Sequence, residues 1–517
     1  MLLAFFALSL IPRLYSGLTF GVNLDGPGTF RIISFDEAGS CRAILGDFHY
    51  SNFIGCQTLA IARMLGQGPR APLTKDREAR AYCYSAPLIM IHRAYSAVTG
   101  ALTVVLVGLL ALMMWPAQPK IAWTACALLG LSNLHVAQSA WGTADVPQVF
   151  FITLFTTVLV YGLVSQARWP LFLSPLFMIA AVWAKWYLFA VFAYACILPR
   201  LDLRRNAIRY ALGLAAVLAL AVYLIGWDSI ADVISRHLYL FWGREKWRFG
   251  TGYANIGTWR RWIRNTMNLP IVHIVGLGLP ACLFVVSGVK HALADRARRL
   301  LWLAHAPALA YAAYMLVLGP VTYYRHYLPL FPTVTLLAAA GLWKSRWSAR
   351  KFFLVLFFVY PLLLTVDSVH SYRADPRRDL RAWYAGLDNP KVFFTFYVVL
   401  PASAWRSKLF NVDAYLRYGG RYLNVADYVI LSENWYDTAF PNELNGPIAW
   451  RPEWLVKTKP QYAVAYRRIL SGQEPKLKLE TEYNVRCFMP EFLVHRYFYG
   501  SVPLFVGDIK IYRVVGN

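Results

Sequence analysis

The chain has 517 residues, 58% of them apolar and 15% charged, with mean hydropathy +0.41. Soluble domains carry roughly 25% charged residues, so the composition excludes an ordinary soluble protein and points to a polytopic membrane protein. The formal charge is +25, but the basic residues fall in short blocks between apolar runs, which suits topology signals and lipid phosphates and argues against a nucleic-acid partner.

The apolar runs cover roughly residues 1–20, 86–114, 121–140, 148–164, 170–198, 209–227, 269–289, 300–318, 327–343 and 352–368, most of them near the length of one span. The first run, MLLAFFALSLIPRLYSG, lacks a basic leader and an obvious small-residue cleavage site, so it reads as a retained membrane segment. Loop 12–85 follows. Its acidic pair Asp36–Glu37 precedes an apolar-periodic stretch over 41–65. There it suits a helix N-terminus, and a buried carboxylate there can also act as a general base. Asp145, in TADVPQVFF, stands where two apolar runs meet, two residues before Pro147. It reads either as a helix-start residue or as an acid at the membrane surface.

The run 170–198 is long, with Lys185 at its middle, and reads as one long helix or as two short ones hinged there. A cation at membrane depth either snorkels to the interface or meets a lipid phosphate. Charge decides the parity. The short loops 199–209, 290–299 and 344–351 each hold four Lys or Arg and are expected in the cytoplasm. Loops 228–268 and 319–326, and everything after 368, then lie outside; loop 141–147 carries no basic residue, which favours two short segments in 170–198, places 12–85 and 141–147 outside as well and gives about eleven crossings. The outer loop 235–265 interleaves aromatics with cations, Arg260 and Arg261 among them, as a lid over a lipid phosphate would. Arg325 and His326, in YYRHYLPLFP, begin a returning helix, where Arg can snorkel or grip a phosphate in two-pronged fashion.

After residue 368 the pattern changes. KVFFTFYVVL, ADYVILS and DIKIYRVV read as strands, and PEWLVKTKPQYAVAYRRILSG as a helix with a glycine stop. Residues 369–517 are therefore expected to form a soluble α/β extracytoplasmic domain beside a membrane domain of residues 1–368. Of the seven cysteines, Cys126, Cys196 and Cys282 lie in apolar runs, while Cys41, Cys56, Cys83 and Cys487 lie in polar segments. The last four have no metal-ligand spacing and leave a disulfide unassigned.

Taken in order, Asp36–Glu37 in the first outer loop, Asp145 in TADVPQVFF, Lys185 in WAKWYLF and Arg325 in RHYLPLFP resemble the GT-C class of membrane glycosyltransferases. The likeness is greatest to the family-39-like branch, related to protein O-mannosyltransferases and the lipid A aminoarabinose transferase. The tail ADYVILSENWYD…YRRILSG…IKIYRVV is like the soluble region of such bacterial chains. The first loop departs from that pattern: DEAGSCRAI lacks the tyrosine many relatives carry, and only YSAP, residues 84–87, is like their loop ending.

The resemblance implies a polyprenyl-phosphate sugar donor and inverting transfer on the outer face, in keeping with a cell exterior that holds no nucleotide sugars. It implies Asp36 as base with Glu37 beside it and Asp145 as a second acid. Lys185, Arg325, His326, Arg260 and Arg261 are the expected cationic contacts to the donor phosphate. The acceptor would be a glycan, lipid or protein, in a plasma (inner) membrane enzyme bathed in membrane lipids. Some relatives use a divalent metal; the sequence shows no ligand cluster and leaves that open. The alternative, a transporter or flippase, would be expected to carry inverted repeats and a path of intramembrane charges; the sequence shows no repeat, and its acidic residues read at the surface rather than at midplane.

Overall fold

The structure is a computed structural model. It describes residues 1–19, 21, 35–46, 51–69, 73–74, 76–165, 168–185, 188–197, 258–317, 324–345, 350–401, 403–436, 439, 461–490 and 507–516, with isolated residues between 215 and 231. The chain divides into two compact units. One comprises Met1–Leu18, Phe35–Arg244 and Leu269–Val366; the other comprises Thr19–Ser34, Glu245–Asn268 and Asp367–Asn517.

The first unit is helical. Helix α1 spans Leu2–Thr19, α2 Gly39–Ile44, α3 Phe53–Met64 and α4 Arg77–Cys83. Helices α5, Ala86–Met114, α6, Pro119–Gly130, α7, Asn133–Ser139, and α8, Asp145–Ser165, form its centre. Helices α9, Arg168–Lys185, and α10, Val191–Ile197, follow. Thr99, Thr103, Thr153, Thr156 and Thr157 each donate a hydroxyl to the carbonyl four residues earlier, so α5 and α8 carry these polar side chains without leaving a donor unmet in an apolar setting.

The apolar run 121–140 is not one continuous helix. It breaks at Ser132, whose hydroxyl accepts from His135 N and donates to Gly276 O. Beneath that break Arg13 of α1 lies fully buried and donates to the carbonyls of Leu129 and Gly130, the free end of α6. A cation at a helix C-terminus meets both the orphan carbonyls and the helix dipole.

Helix α11 spans Thr258–Leu277, and its residues from Leu269 belong to this unit; a bend of 119° separates it from α12, Leu279–Ala294. Helices α13, Arg299–Leu303, and α14, Ala306–Val317, bracket a second bend of 65°. A 3-10 turn, Tyr324–Leu330, leads into α15, Phe331–Lys344, and α16 covers Arg350–Arg373. Helices α12 and α15 cross backbone to backbone. A Cβ on Gly288 would lie 2.0 Å from Leu337 O, and one on Gly341 would lie 2.0 Å from Phe284 O. Small residues permit such close approach where no hydrophobic drive holds helices together in lipid.

Among the described residues, four helical stretches are long and apolar enough to cross a membrane: Leu2–Thr19, Ala86–Met114, Asp145–Ser165 and Phe352–Ala385. Counting each bent pair as a span raises this to six. Most of the run 209–227 lies outside the described residues.

The second unit holds a mixed five-stranded sheet. After α17, Pro376–Ala385, come β1, Val392–Phe394, and β2, Lys408–Leu409, then α18, Val412–Tyr418, and α19, Gly420–Leu423. Strand β3, Tyr428–Ser432, is followed by α20, Glu433–Tyr436, α21, Gln461–Leu470, β4, Leu477–Tyr483, and β5, Ile509–Val514. The order is β2-β1-β3-β5-β4; β1 pairs in parallel with β2 and β3, and β5 pairs antiparallel with β3 and β4.

Side chains alternate across this sheet. Phe393, Val429, Leu431, Tyr512 and Val514 pack with Tyr466 and Ile469 of α21 on one face. Val392, Tyr428, Ile430, Ile509 and Ile511 pack with Leu380 and Tyr384 of α17 on the other. Both faces are covered, which is why β3 is buried throughout and reads as an unbroken apolar run. The stretch KVFFTFYVVL yields only the three residues of β1. Beyond Phe394 the chain turns away, with Tyr397 and Val399 at positive φ (71° and 48°), incompatible with a continuing strand. Strands β2 and β4 were not expected from the sequence. The predicted helix over 452–472 is described only from Gln461.

Candidate active site

Asp36 and Glu37 sit in a 3-10 turn, Phe35–Ala38, directly before α2. The N-cap position of α2 is Ala38, without a side-chain capping bond. The two acids serve different contacts. Glu37 is fully buried. Its Oε1 accepts from Arg93 Nε at 2.7 Å and from Gly142 N at 3.2 Å, and its Oε2 accepts from Arg93 Nη2 at 2.9 Å. Arg93, also fully buried, donates onward to Gly17 O at 3.0 Å. This pair therefore joins the acidic turn to α1, to α5 and to the loop before α8. Such a two-pronged, charge-assisted contact is geometrically demanding.

Asp36 faces elsewhere. Its Oδ2 accepts from Arg325 Nη1 at 2.9 Å, and both side chains keep partial exposure, 13% and 21%. Arg325 belongs to the 3-10 turn ahead of α15, and the next residue, His326, is held through its carbonyl by Tyr311 OH at 2.7 Å. The sequence separation between Asp36 and Arg325 is 289 residues.

The second pair repeats the arrangement. Asp145 opens α8 and accepts from the ammonium of Lys185, the last residue of α9. Helix α9 is described as far as Lys185, and Gln148 Nε2 donates to the Lys185 carbonyl at 3.3 Å. Arg325 and His326 lie close enough to act on the Asp145 carboxylate, so the two pairs share one neighbourhood. Among the described residues, Asp145 Oδ2 is buried without a donor.

The start of α3 closes this neighbourhood. Phe53 stacks on Trp183 with centroids 4.9 Å apart, and Trp183 Nε1 donates to Asn52 Oδ1 at 3.2 Å. Helix α3 packs so tightly on α2 that a Cβ on Gly55 would lie 2.1 Å from Ser40 O. A disulfide joins Cys41 of α2 to Cys83 at the end of α4, and Arg42 Nη1 donates to Tyr84 OH at 3.2 Å.

Arg260 and Arg261 lie at the start of α11, and their side chains fall outside the described residues. The structure thus brings Asp36, Asp145, Lys185 and Arg325 into one site with Glu37 anchoring the turn beneath it. Sequence reasoning missed Arg93. It sits inside the apolar run 86–114, and a cation in such a run calls for a buried acid. Among the described residues, no group of three or more His, Cys, Asp or Glu could hold a metal ion.

Residues 64–237 match the family model described as dolichyl-phosphate-mannose-protein mannosyltransferase. No curated protein matches the sequence. Among solved structures, the apo oligosaccharyltransferase of Archaeoglobus fulgidus is similar at a TM-score of 0.50 with 11% identity, over 100% of this chain and 89% of that one. The apo ArnT of Cupriavidus metallidurans is similar at 0.48 with 14% identity, over 85% of this chain and 94% of that one.

Proposed function

We propose that this chain, which carries a mannosyltransferase-like domain of the GT-C class over residues 64–237, is an integral membrane glycosyltransferase. In this reading it moves a sugar from a polyprenyl-phosphate donor to an acceptor hydroxyl at the outer face of the plasma membrane. The observation that carries the reading is the pair of acid–cation contacts, Asp36 with Arg325 and Asp145 with Lys185, gathered in one helical unit.

Each cation pairs with a carboxylate in the structure. A lipid phosphate entering the site competes for Arg325 and Lys185, which then bear the charge that grows on the phosphate as the C1–O bond breaks. The exchange releases Asp36 from its guanidinium partner and leaves its oxygen open to the acceptor. Asp36 takes the proton of the acceptor hydroxyl as that oxygen bonds to C1 from the opposite face, and the lipid phosphate departs with the electron pair. Asp145, with one oxygen still open, orients the acceptor or the sugar. Glu37 does no chemistry; held by Arg93 and Gly142, it fixes the turn that aims Asp36.

The Cys41–Cys83 disulfide supports the outward orientation, because disulfides persist in oxidising compartments and this one lies in the loop that carries Asp36. The test is incubation of the purified protein with a panel of polyprenyl-phosphate sugars, measuring sugar transfer or release. At least one donor is expected to be consumed, with turnover falling about 100-fold or more in Asp36→Asn while the donor still binds. Consumption of none, or full turnover in Asp36→Asn, overturns the reading.

A further inference from the structure

The C-terminal unit has a cleft that the proposed transfer does not use. It is lined by Thr395 and Phe396 after β1, Asn411 and Asp413 after β2, Trp435 after β3, and Tyr462 of α21, and has a volume of about 290 Å3. These are the carboxyl ends of the three parallel strands. The chain leaves β1 for β2 on one side and returns to β3 on the other, so the cleft stands at the reversal of strand order, where open α/β sheets bind ligands.

The loop after β1 is held in a costly shape. Val399, a β-branched residue, has φ 48°, and Tyr397 has φ 71°. Arg381 of α17 donates to Val399 O at 2.8 Å, and Ser432 N donates to Thr395 Oγ1 at 2.8 Å. Local strain maintained by such bonds clusters at binding sites.

The lining selects the occupant. Trp435 lies against Phe396 with centroids 4.5 Å apart, giving a broad aromatic wall. Asp413 stands at the rim, oriented by Tyr462 OH at 3.1 Å and Gln461 Nε2 at 3.4 Å. Carboxylate oxygens only accept, so a ligand group that meets them must donate. The sequence after β1, TFYVVL, has no glycine-rich phosphate turn, and the carboxylate repels anions. A pyranose ring fits both demands: its C–H face lies on the negative face of an aromatic ring, and its hydroxyls donate to the carboxylate.

We infer that this cleft binds a neutral or amino-substituted saccharide, with Trp435 as the stacking platform and Asp413 as the hydroxyl acceptor. This goes beyond the proposed reaction and does not depend on it.

The test uses the full-length protein in nanodiscs free of sugar-headed detergent. Saturation-transfer NMR is run with methyl mannoside, N-acetylglucosamine and glucosamine, against glucuronic acid, mannose 6-phosphate and an indole-bearing dipeptide. At least one neutral or amino sugar is expected to bind, and Trp435→Ala and Asp413→Asn are each expected to weaken it about tenfold or more. Asp36→Asn, which alters only the membrane-unit site, should bind it unchanged. Thermal melting verifies folding, and Asp413→Asn keeps the side-chain shape if Trp435→Ala is unstable. Binding of none of the sugars, preference for the acidic sugars or the dipeptide, or undiminished affinity in Asp413→Asn overturns the assignment.

Discussion

At the scale of single residues, the acidic pair divides its labour by burial. Glu37 and Arg93 have no exposure, while Asp36 keeps a solvent-facing edge. Arg93→Met would leave a buried carboxylate without its partner, a loss of about 3–5 kcal/mol. The double variant with Glu37→Gln should recover part of that loss, and thermal melting in a double-mutant cycle measures it. Additive effects would remove the pair as an anchor. The cations of the open pairs behave differently, because each is partly exposed and takes a ligand in the proposed reaction. Lys185→Ala and Arg325→Ala should each weaken affinity for a polyprenyl-phosphate sugar by tenfold or more with little change in melting. Unchanged affinity in both would take the phosphate away from these residues.

Among elements, α2 has six residues, too few to hold its place by itself. It is pinned by the close approach of Gly55 and by the Cys41–Cys83 disulfide, across a sequence separation of 42 residues. Loop-closure entropy makes that link worth about 4 kcal/mol. Cys41→Ser and Cys83→Ser should lower the melting temperature equally and reduce turnover by loosening the turn that bears Asp36. A reductant should lower the wild type to the same point and leave both variants unmoved. A wild type indifferent to reductant would show that the disulfide holds nothing. The sheet shows the same division between element and setting. β3 was legible as an apolar β-branched run, whereas β2 has two exposed residues whose strand geometry comes only from pairing with β1.

For the whole molecule, the proposal of about eleven crossings with an outward catalytic face rests on the three basic loops. Accessibility labelling in a Cys56→Ser background tests it. Gln67, Lys290 and Arg406 are exposed, so cysteines placed there can react. Gln67→Cys and Arg406→Cys should react with an impermeant thiol reagent from outside, and Lys290→Cys only after permeabilisation. Labelling of Lys290→Cys and Arg406→Cys from the same side would refute this topology.

Composition, run length and charge blocks determined a membrane-embedded helical protein, and the chain order of acids and cations marked Asp36, Asp145, Lys185 and Arg325 as candidates. Those signals are local: an apolar run is legible because lipid imposes it residue by residue. What the sequence left open needed distances across the chain. Glu37 meets Arg93 from 56 residues away, Asp145 meets Lys185 from 40, and Asp36 meets Arg325 from 289. The break of run 121–140 at Ser132 and the burial of Arg13 under it likewise depend on partners far along the chain. Which of four polar-segment cysteines pair was open for the same reason; Cys41 and Cys83 pair because folding places their Cα atoms 5.5 Å apart. Ion pairs and disulfides form where packing brings groups together, and no local pattern in the chain encodes that meeting.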